Sequence, residues 1–396
     1  MAKKDPVDDH AFNKRVRRHV AGRVRAYYTI TAPGFEDLCR RELIGLGIDD
    51  RDMEVATGGV THAGRFVDCQ RANLHLRTAT RILMRIDTFS ATNVRRLEKR
   101  SAEIPWELFL PSGSLPNINV RSRLSRLYHT KAISQGLLDS IDRRVSGWPG
   151  SAAPPILQTV FVRVVEDRFT LSLDSSGNPL YKRGMKQGPA RAPIRETLAA
   201  AILMAAGYDP RRPLVDPLCG SGTFSLEAAM MAKRMAPGEK RNFGFMGWPA
   251  FREGQWAFLK REAQSHVLSL DRPIIFASDI DAGACGRLAA TVDGNGLSDA
   301  VRVMQKDFFQ CGANQYGGDP GLVVINPPYG IRIGSAKQAD DLFDGICRHL
   351  VKRFNGWTVA LIVPGRALTR GLPFPARRLP LLHGGLKLTL IVGTIK

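Results

Sequence analysis

Acid is what this sequence has least of for its size. Only 37 Asp and Glu stand against 57 Lys and Arg in 396 residues, a formal net charge of +20 at pH 7. Twenty uncompensated charges are more than solubility asks for and point to a polyanion, most simply nucleic acid. Long apolar runs are missing as well. None approaches the roughly 20 residues of a membrane-spanning helix, and no signal-type hydrophobic segment follows the start, so a cytoplasmic protein is expected. Cysteine is sparse and scattered (Cys39, Cys69, Cys219, Cys285, Cys311, Cys347), with no C-x-x-C pair and no nearby histidine cluster. That excludes a disulfide frame and a zinc site, and leaves buried free thiols and no metal as the expectation. No internal repeat is present. What remains, at 44% hydrophobic and 24% charged residues, is an ordinary globular composition long enough for two or three domains.

Residues 1–25 are poor in apolar side chains and carry Lys14, Arg15, Arg17, Arg18, Arg23 and Arg25. They read as a mostly disordered basic arm, either lying along phosphates or simply solvated. Asp5, Asp8 and Asp9 argue against a transit peptide. Residues 26–178 read as α+β. A strand over Ala26–Ile30 precedes a helix in which Phe35, Leu38, Leu43 and Leu46 recur at helical spacing before Gly47. Short strands near Val55 and Val60 follow, then a second amphipathic helix from about Asp68 to Met84, in a ferredoxin-like order. A second unit, Ser114 to Ser176, has a strand at Ile118–Arg121 and a helix with Ile133, Leu137 and Ile141 on one face. It ends in a hairpin where Val160, Val162 and Val164 alternate before a return strand, Phe169 to Leu173. Arg121, Arg123, Arg126, His129 and Lys131 crowd the strand-to-helix junction, a run suited to phosphate contact.

From Pro213 to Gly393 strands and helices alternate, which predicts a doubly wound, mostly parallel sheet. Three successive apolar strands end on an acid: Asp216, Asp279 and Asp307. Behind the first lies the loop Gly220-Ser221-Gly222 at a helix N-terminus, where backbone amides can take an anionic group. The loop has neither the G-x-G-x-x-G nor the Gly-Lys-Ser/Thr spacing of nucleotide-phosphate loops. An acid at the second strand end can hold two ribose hydroxyls. The third can accept from an adenine amino group while Phe308 packs on the ring. A fourth strand, Val323–Ile325, stops at Asn326-Pro327-Pro328-Tyr329-Gly330. Two prolines cannot continue a ladder. An amide acceptor and an aromatic ring are therefore held at a strand's carboxyl end, placed for an exocyclic amino group on a planar base. Each feature alone is common, but the constellation is rare.

With D-P-L-C-G-S-G-T (Asp216–Thr223), S-D-I-D (Ser278–Asp281), K-D-F-F (Lys306–Phe309) and N-P-P-Y-G (Asn326–Gly330) in this order, the chain resembles the class I S-adenosylmethionine-dependent methyltransferases. A-P-G-F-E-D-L-C-R-R-E-L (Ala32–Leu43) and L-Y-K-R-G (Leu180–Gly184) narrow the resemblance to the THUMP-domain RNA guanine-N2 methyltransferases. The likeness covers nearly the whole chain after the arm. It implies an α/β, Rossmann-like class I methyltransferase domain over 179–396, doubly wound with an antiparallel last strand. An α+β ferredoxin-like/THUMP RNA-binding module over 26–178 would precede it.

The cofactor implied is S-adenosylmethionine, held by Asp216, Cys219, Gly220, Ser221, Gly222, Thr223, Asp279, Ile280, Asp307, Phe308 and Asn326. Transfer would take place at Asn326, Pro327, Pro328 and Tyr329. RNA contacts are expected from Arg121, Arg123, Arg126, Lys131 and Arg183. The substrate implied is a guanine amino group in large-subunit (23S) rRNA, with tRNA as the family's other branch. Some relatives carry a second, fused methyltransferase domain beyond the one seen here. Three rivals stand beside this reading. A protein glutamine methyltransferase also uses N-P-P-Y but has no need of the basic N-terminal half. A non-catalytic RNA-binding or ribosome-assembly factor sits badly with intact acids and glycines, and DNA adenine methylation with the THUMP likeness.

Overall fold

The computed structural model describes residues 9–113, 115–145, 156–185, 194–316, 319–328, 336–365 and 371–396. Its helices are α1 (Asp9–Val16), α2 (Glu36–Gly45), α3 (Phe66–His75), α4 (Val94–Ala102), α5 (Thr130–Val145), α6 (Glu196–Ala205), α7 (Thr223–Ala232), α8 (Glu253–Ser265), α9 (Ala282–Gly294) and α10 (Ala336–Arg353). None of them is long and apolar enough to cross a membrane. The chain divides into two compact units. The first takes in the described residues of Met1–Thr31, Cys39–Leu180 and Arg241–Lys260, the second those of Ala32–Leu38, Tyr181–Lys240 and Arg261–Lys396. Two short segments, 32–38 and 241–260, thus fall on the far side of a single cut near residue 178.

The first unit is built on one sheet. Its strands β1 (Arg25–Thr31), β2 (Met53–Ala56), β3 (Gly59–Gly64), β4 (Ala79–Ser90), β5 (Asn117–Arg123), β6 (Thr159–Val165) and β7 (Arg168–Asp174) lie in the order β2-β3-β1-β4-β7-β6-β5. The sequence suggested two separate units; β4 joins them, antiparallel to β1 on one side and to β7 on the other. It also replaces the far half of the helix expected over 68–84. α3 stops at Leu76, whose backbone is extended (φ −67°, ψ 126°). The Glu42 carboxylate then takes the next two amides, Arg77 N at 2.8 Å and Thr78 N at 3.0 Å. Ile82, Leu83, Met84 and Ile86 form an apolar run that periodicity alone cannot assign to helix or strand.

The basic arm is not disordered over its described part. α1 and the π-turn Arg17–Ala21 bury Val16 and Val20, and Arg15 pairs with Glu107 at 2.8 Å. Two apolar residues four apart make a helical face too slight to stand out among so many cations. Segment 241–260 brings Phe243, Phe245, Trp248 and Trp256 into this unit. Phe66 of α3 stacks on Trp248 with ring centroids 5.5 Å apart, and Phe243 stacks on Phe245 at 5.1 Å.

The second unit carries β8 (Leu214–Asp216), β9 (Ile275–Asp279), β10 (Val301–Gln305), β11 (Leu322–Ile325), β12 (Thr358–Pro364), β13 (Ala376–His383) and β14 (Leu386–Thr394). Their order is β10-β9-β8-β11-β12-β14-β13. The first five run parallel, while β14 is antiparallel to both its neighbours. The central strands β11 and β12 are apolar and buried on both faces, as a sheet covered on both sides requires, while the edge strand β10 exposes Arg302 and Gln305. The chain moves outward from β8 to β10 and then returns to β11, on the other side of β8. Strand order reverses there, and open α/β sheets bind ligands at the carboxyl ends beside such a reversal.

Candidate active site

β8 ends on Asp216, which is buried and accepts from Ser225 Oγ of α7 at 2.8 Å. The loop that follows turns on two glycines with positive φ, Gly220 at 50° and Gly222 at 69°. At Gly222 a Cβ would run into Leu288 of α9, so the backbone conformation and the close helix approach both require glycine. At Gly220 nothing among the described residues lies within 4 Å of the place a Cβ would take. The loop backbone is therefore open there to a ligand. Cys219 N donates to Ser278 O at 2.9 Å and Gly220 N to Asp279 Oδ2 at 2.9 Å, which ties the loop to the end of β9. Asp279 Oδ1 accepts from Asp281 N at 3.0 Å. An ionised carboxylate offers about four acceptor positions, so Asp279 retains capacity for a pair of ribose hydroxyls. The Ser221 and Thr223 hydroxyls lie 3.4 Å apart where α7 begins. Burial, with the Asp216 and Asp279 charges added, pushes the Cys219 thiol far up. It stays neutral and is no nucleophile.

At the end of β10, Asp307 caps a short turn by accepting from Phe309 N at 3.0 Å. That turn corrects one expectation. Phe308 is 2% exposed and packs in the core against Phe354, so its ring is not available to an adenine. The ring left outside is that of Phe309, 45% exposed, and Ile280 at the end of β9 is 70% exposed. β9 and β10 are parallel neighbours with Asp279 opposite Gln305, so two exposed apolar side chains stand at adjacent strand ends. Phe309 lies edge-on to His349, whose Nε2 is 2.8 Å from the Cys311 carbonyl. Burial lowers the His349 pKa, which favours the neutral ring.

β11 delivers Asn326. Val323 is in register with Val215 of β8, so Asn326 emerges beside the Asp216 end. Asn326 Oδ1 is buried and has no hydrogen-bond partner among the described residues. Pro327 is buried and Pro328 exposed. Tyr329 and Gly330 lie outside the described residues. The structure therefore brings Asp216, the Cys219–Thr223 loop, Asp279, Ile280, Asp307 and the Asn326–Pro328 segment to the carboxyl ends of four neighbouring strands. Among the described residues, no group of His, Cys, Asp and Glu is arranged to hold a metal.

The five expected RNA contacts divide. Arg121, Arg123, Arg126 and Lys131 are exposed in the first unit, with Arg126 Nε held by Asp167 Oδ2 at 2.7 Å. Arg183 is a correction: it is 4% exposed, and its Nε donates to Glu227 Oε1 of α7 at 3.0 Å. A buried guanidinium already forked onto a carboxylate is a structural cation and not a phosphate contact.

A family model described as RMKL-like, methyltransferase domain, matches residues 183–373, and one described as RlmL ferredoxin-like domain matches residues 27–83. The "Putative RNA methyltransferase slr0064" of Synechocystis sp. is 31% identical over 374 residues, covering 93% of this chain and 96% of that protein. The chain belongs to the RMKL-like methyltransferase family. The "Ribosomal RNA large subunit methyltransferase K/L" of Methylococcus capsulatus is also 31% identical, over 372 residues that cover 91% of this chain and 50% of that longer protein. Among solved structures, SMU.472, "a putative methyltransferase complexed with SAH", superposes with a TM-score of 0.84 at 27% identity, covering 94% of this chain and 98% of that one. S-adenosylmethionine is the methyl donor of such enzymes, and the site of this RMKL-like methyltransferase fits it. The open backbone at Gly220 suits a carboxylate, the spare acceptors of Asp279 suit a ribose, and Ile280 and Phe309 offer apolar surface to a purine.

Proposed function

We propose that this RMKL-like methyltransferase transfers a methyl group to the exocyclic N2 amino group of a guanine in RNA, specifically in 23S rRNA. Bound S-adenosylmethionine would supply an electrophilic methyl carbon on a sulfonium. The chain's part is to hold the acceptor nitrogen. The observation that carries this reading is the buried Asn326 Oδ1 beside the glycine loop, which has no hydrogen-bond partner among the described residues. It accepts one hydrogen of an amino group and so turns the nitrogen lone pair away from itself, toward the cofactor side. The Pro327 carbonyl is the second acceptor, and Tyr329 is the ring that stacks on the base. As the nitrogen attacks it gains positive charge, so both acceptors bind more strongly in the transition state than in the ground state. The base must leave its stack to reach them, at roughly a few kcal/mol.

The net charge of +20 supports RNA as the substrate. So do the names of the Synechocystis and Methylococcus relatives, and the latter supports rRNA. Guanine N2 rests on the resemblance to the THUMP-domain RNA guanine-N2 methyltransferases. The test is a comparison of modified nucleosides in rRNA and tRNA from cells with and without the gene. N2-methylguanosine should disappear from 23S rRNA. Its loss from tRNA instead would move the substrate, and an unchanged profile would overturn the reading. In the purified enzyme, Asn326→Ala should cut turnover by roughly 10²–10³-fold, as loss of one preorganised charge-stabilising contact does, while affinity for the cofactor changes little. Near-normal turnover would remove Asn326 from this role.

A further inference from the structure

The sheet of the first unit has one buried face, formed by Tyr27, Thr29, Ile82, Met84, Val160, Val162, Leu171 and Leu173. Register places a different set on the other face. Arg121 of β5 lies directly opposite Arg163 of β6, Arg163 opposite Thr170 of β7, and Thr170 opposite Thr88 of β4. Arg85 of β4, Phe161 of β6 and Tyr28 of β1 point the same way, through the pairs Arg85–Ser172, Ser172–Phe161 and Tyr28–Leu83. Like charges directly across two strands are destabilising. Here Arg121 and Arg163 are both exposed, and neither they nor Arg85 makes an ion pair among the described residues. Their neighbours do otherwise: Arg81, on the same face, pairs with Asp174, and Arg126 pairs with Asp167. Arg85 is half-buried, its guanidinium 5.5 Å above the Tyr28 ring. That ring rests on the backbone of Gly59, where an added Cβ would stand 2.7 Å from Tyr28 Cζ. Burial lowers the Arg85 pKa, and the Arg163 charge lowers it further against a partial offset from Tyr28 and Glu54. Arg85, Arg121 and Arg163 are thus kept on one face with no carboxylate paired to them among the described residues, beside half-buried rings.

We propose that this face is a platform for a single-stranded stretch of RNA, with bases stacking on the Arg85–Tyr28 pair and phosphates on Arg163 and Arg121. The proposal rests on the reading of RNA as the substrate and adds where, and in what form, the RNA is held. β4 and β5 are three strand spacings apart, about 14 Å, so the cations make a row that a backbone can follow. A guanidinium plane and an aromatic ring take unpaired bases of any sequence, whereas in a duplex the bases are stacked on one another and out of reach.

The test reads binding by the full chain without methyl donor. Labelled single-stranded RNA and a duplex of the same sequence are titrated by fluorescence anisotropy across a salt series. Arg85→Ala with Arg163→Ala should weaken single-strand binding about tenfold or more and flatten the salt dependence by roughly one to two charges. Arg85→Lys, which keeps the charge and loses the plane, should weaken binding several-fold with the slope retained. Arg121→Ala, at an exposed edge position, gives the same readout should the double variant fail to fold. Unchanged single-strand affinity overturns the platform, and so does duplex RNA that binds as tightly and responds equally to the substitutions. Because no methyl transfer is measured, a wrong target base leaves this result standing. Conversely, failure here leaves the methylation reading untouched.

Discussion

An amide oxygen buried without a partner, as Asn326 Oδ1 is among the described residues, costs a folded protein about 1–3 kcal/mol. Asn326→Ala should therefore melt no lower than the wild type while its activity collapses. The glycine loop makes a complementary case. Gly220→Ala puts a methyl into open space at a φ of 50°, a strain of about 1–2 kcal/mol that the fold can absorb. Calorimetric titration of that variant should show affinity for S-adenosylhomocysteine down at least tenfold with the fold intact. Gly222→Ala should instead fail in thermal denaturation, because Leu288 occupies the place of its methyl. The residues of the strand-end motifs were legible in the sequence, since acids, glycines and a proline pair at strand ends have few other uses together. Which of two adjacent rings faces outward was not. Phe308 and Phe309 differ only in where the turn after Asp307 points them. Arg183 looked like a phosphate contact because nothing nearby in sequence shows that Glu227 lies beneath it.

α7 opens at the glycine loop and holds Glu227 against Arg183, with both side chains almost wholly buried. Removing one partner of such a pair leaves an uncompensated buried charge, about 3–5 kcal/mol. Arg183→Ala should lower stability by that much in urea denaturation, and Arg183→Met with Glu227→Leu should recover most of it. A stable Arg183→Ala that had lost RNA affinity would restore the phosphate role. β3 supplies a pH-dependent term. His62 stacks on Tyr27, sits 3.1 Å from Thr29 Oγ1, and burial pushes its pKa down to about 4. The folded state favours the neutral ring, so its contribution is complete above the unfolded value near 6.5 and is lost as pH falls toward 4. Asp174, raised to about 6 by burial, works in the opposite direction over an overlapping range. The informative quantity is therefore a difference. His62→Phe should lose roughly 3 kcal/mol less than the wild type between those limits, and equal acid limbs would contradict this. The second unit's alternation was readable because buried parallel strands are apolar throughout. β4 was not, since its apolar run fits a helix equally well until Glu42 is seen to end α3.

The whole molecule joins a sheet with arginines along one face to a doubly wound sheet whose ligand end is acidic and glycine-rich. Composition revealed the first property and motif order the second. Neither could show that the chain passes five times between its compact units, since membership of 32–38 and 241–260 is decided by packing among residues far apart in sequence. That path has a consequence for ancestry. A single crossover near residue 180 would give a recombinant whose Phe243, Phe245, Trp248 and Trp256 came from one parent and whose Phe66 came from the other. Such hybrids would meet with mismatched aromatic rings, so the two units are expected to descend as one heritable piece and to drift in concert.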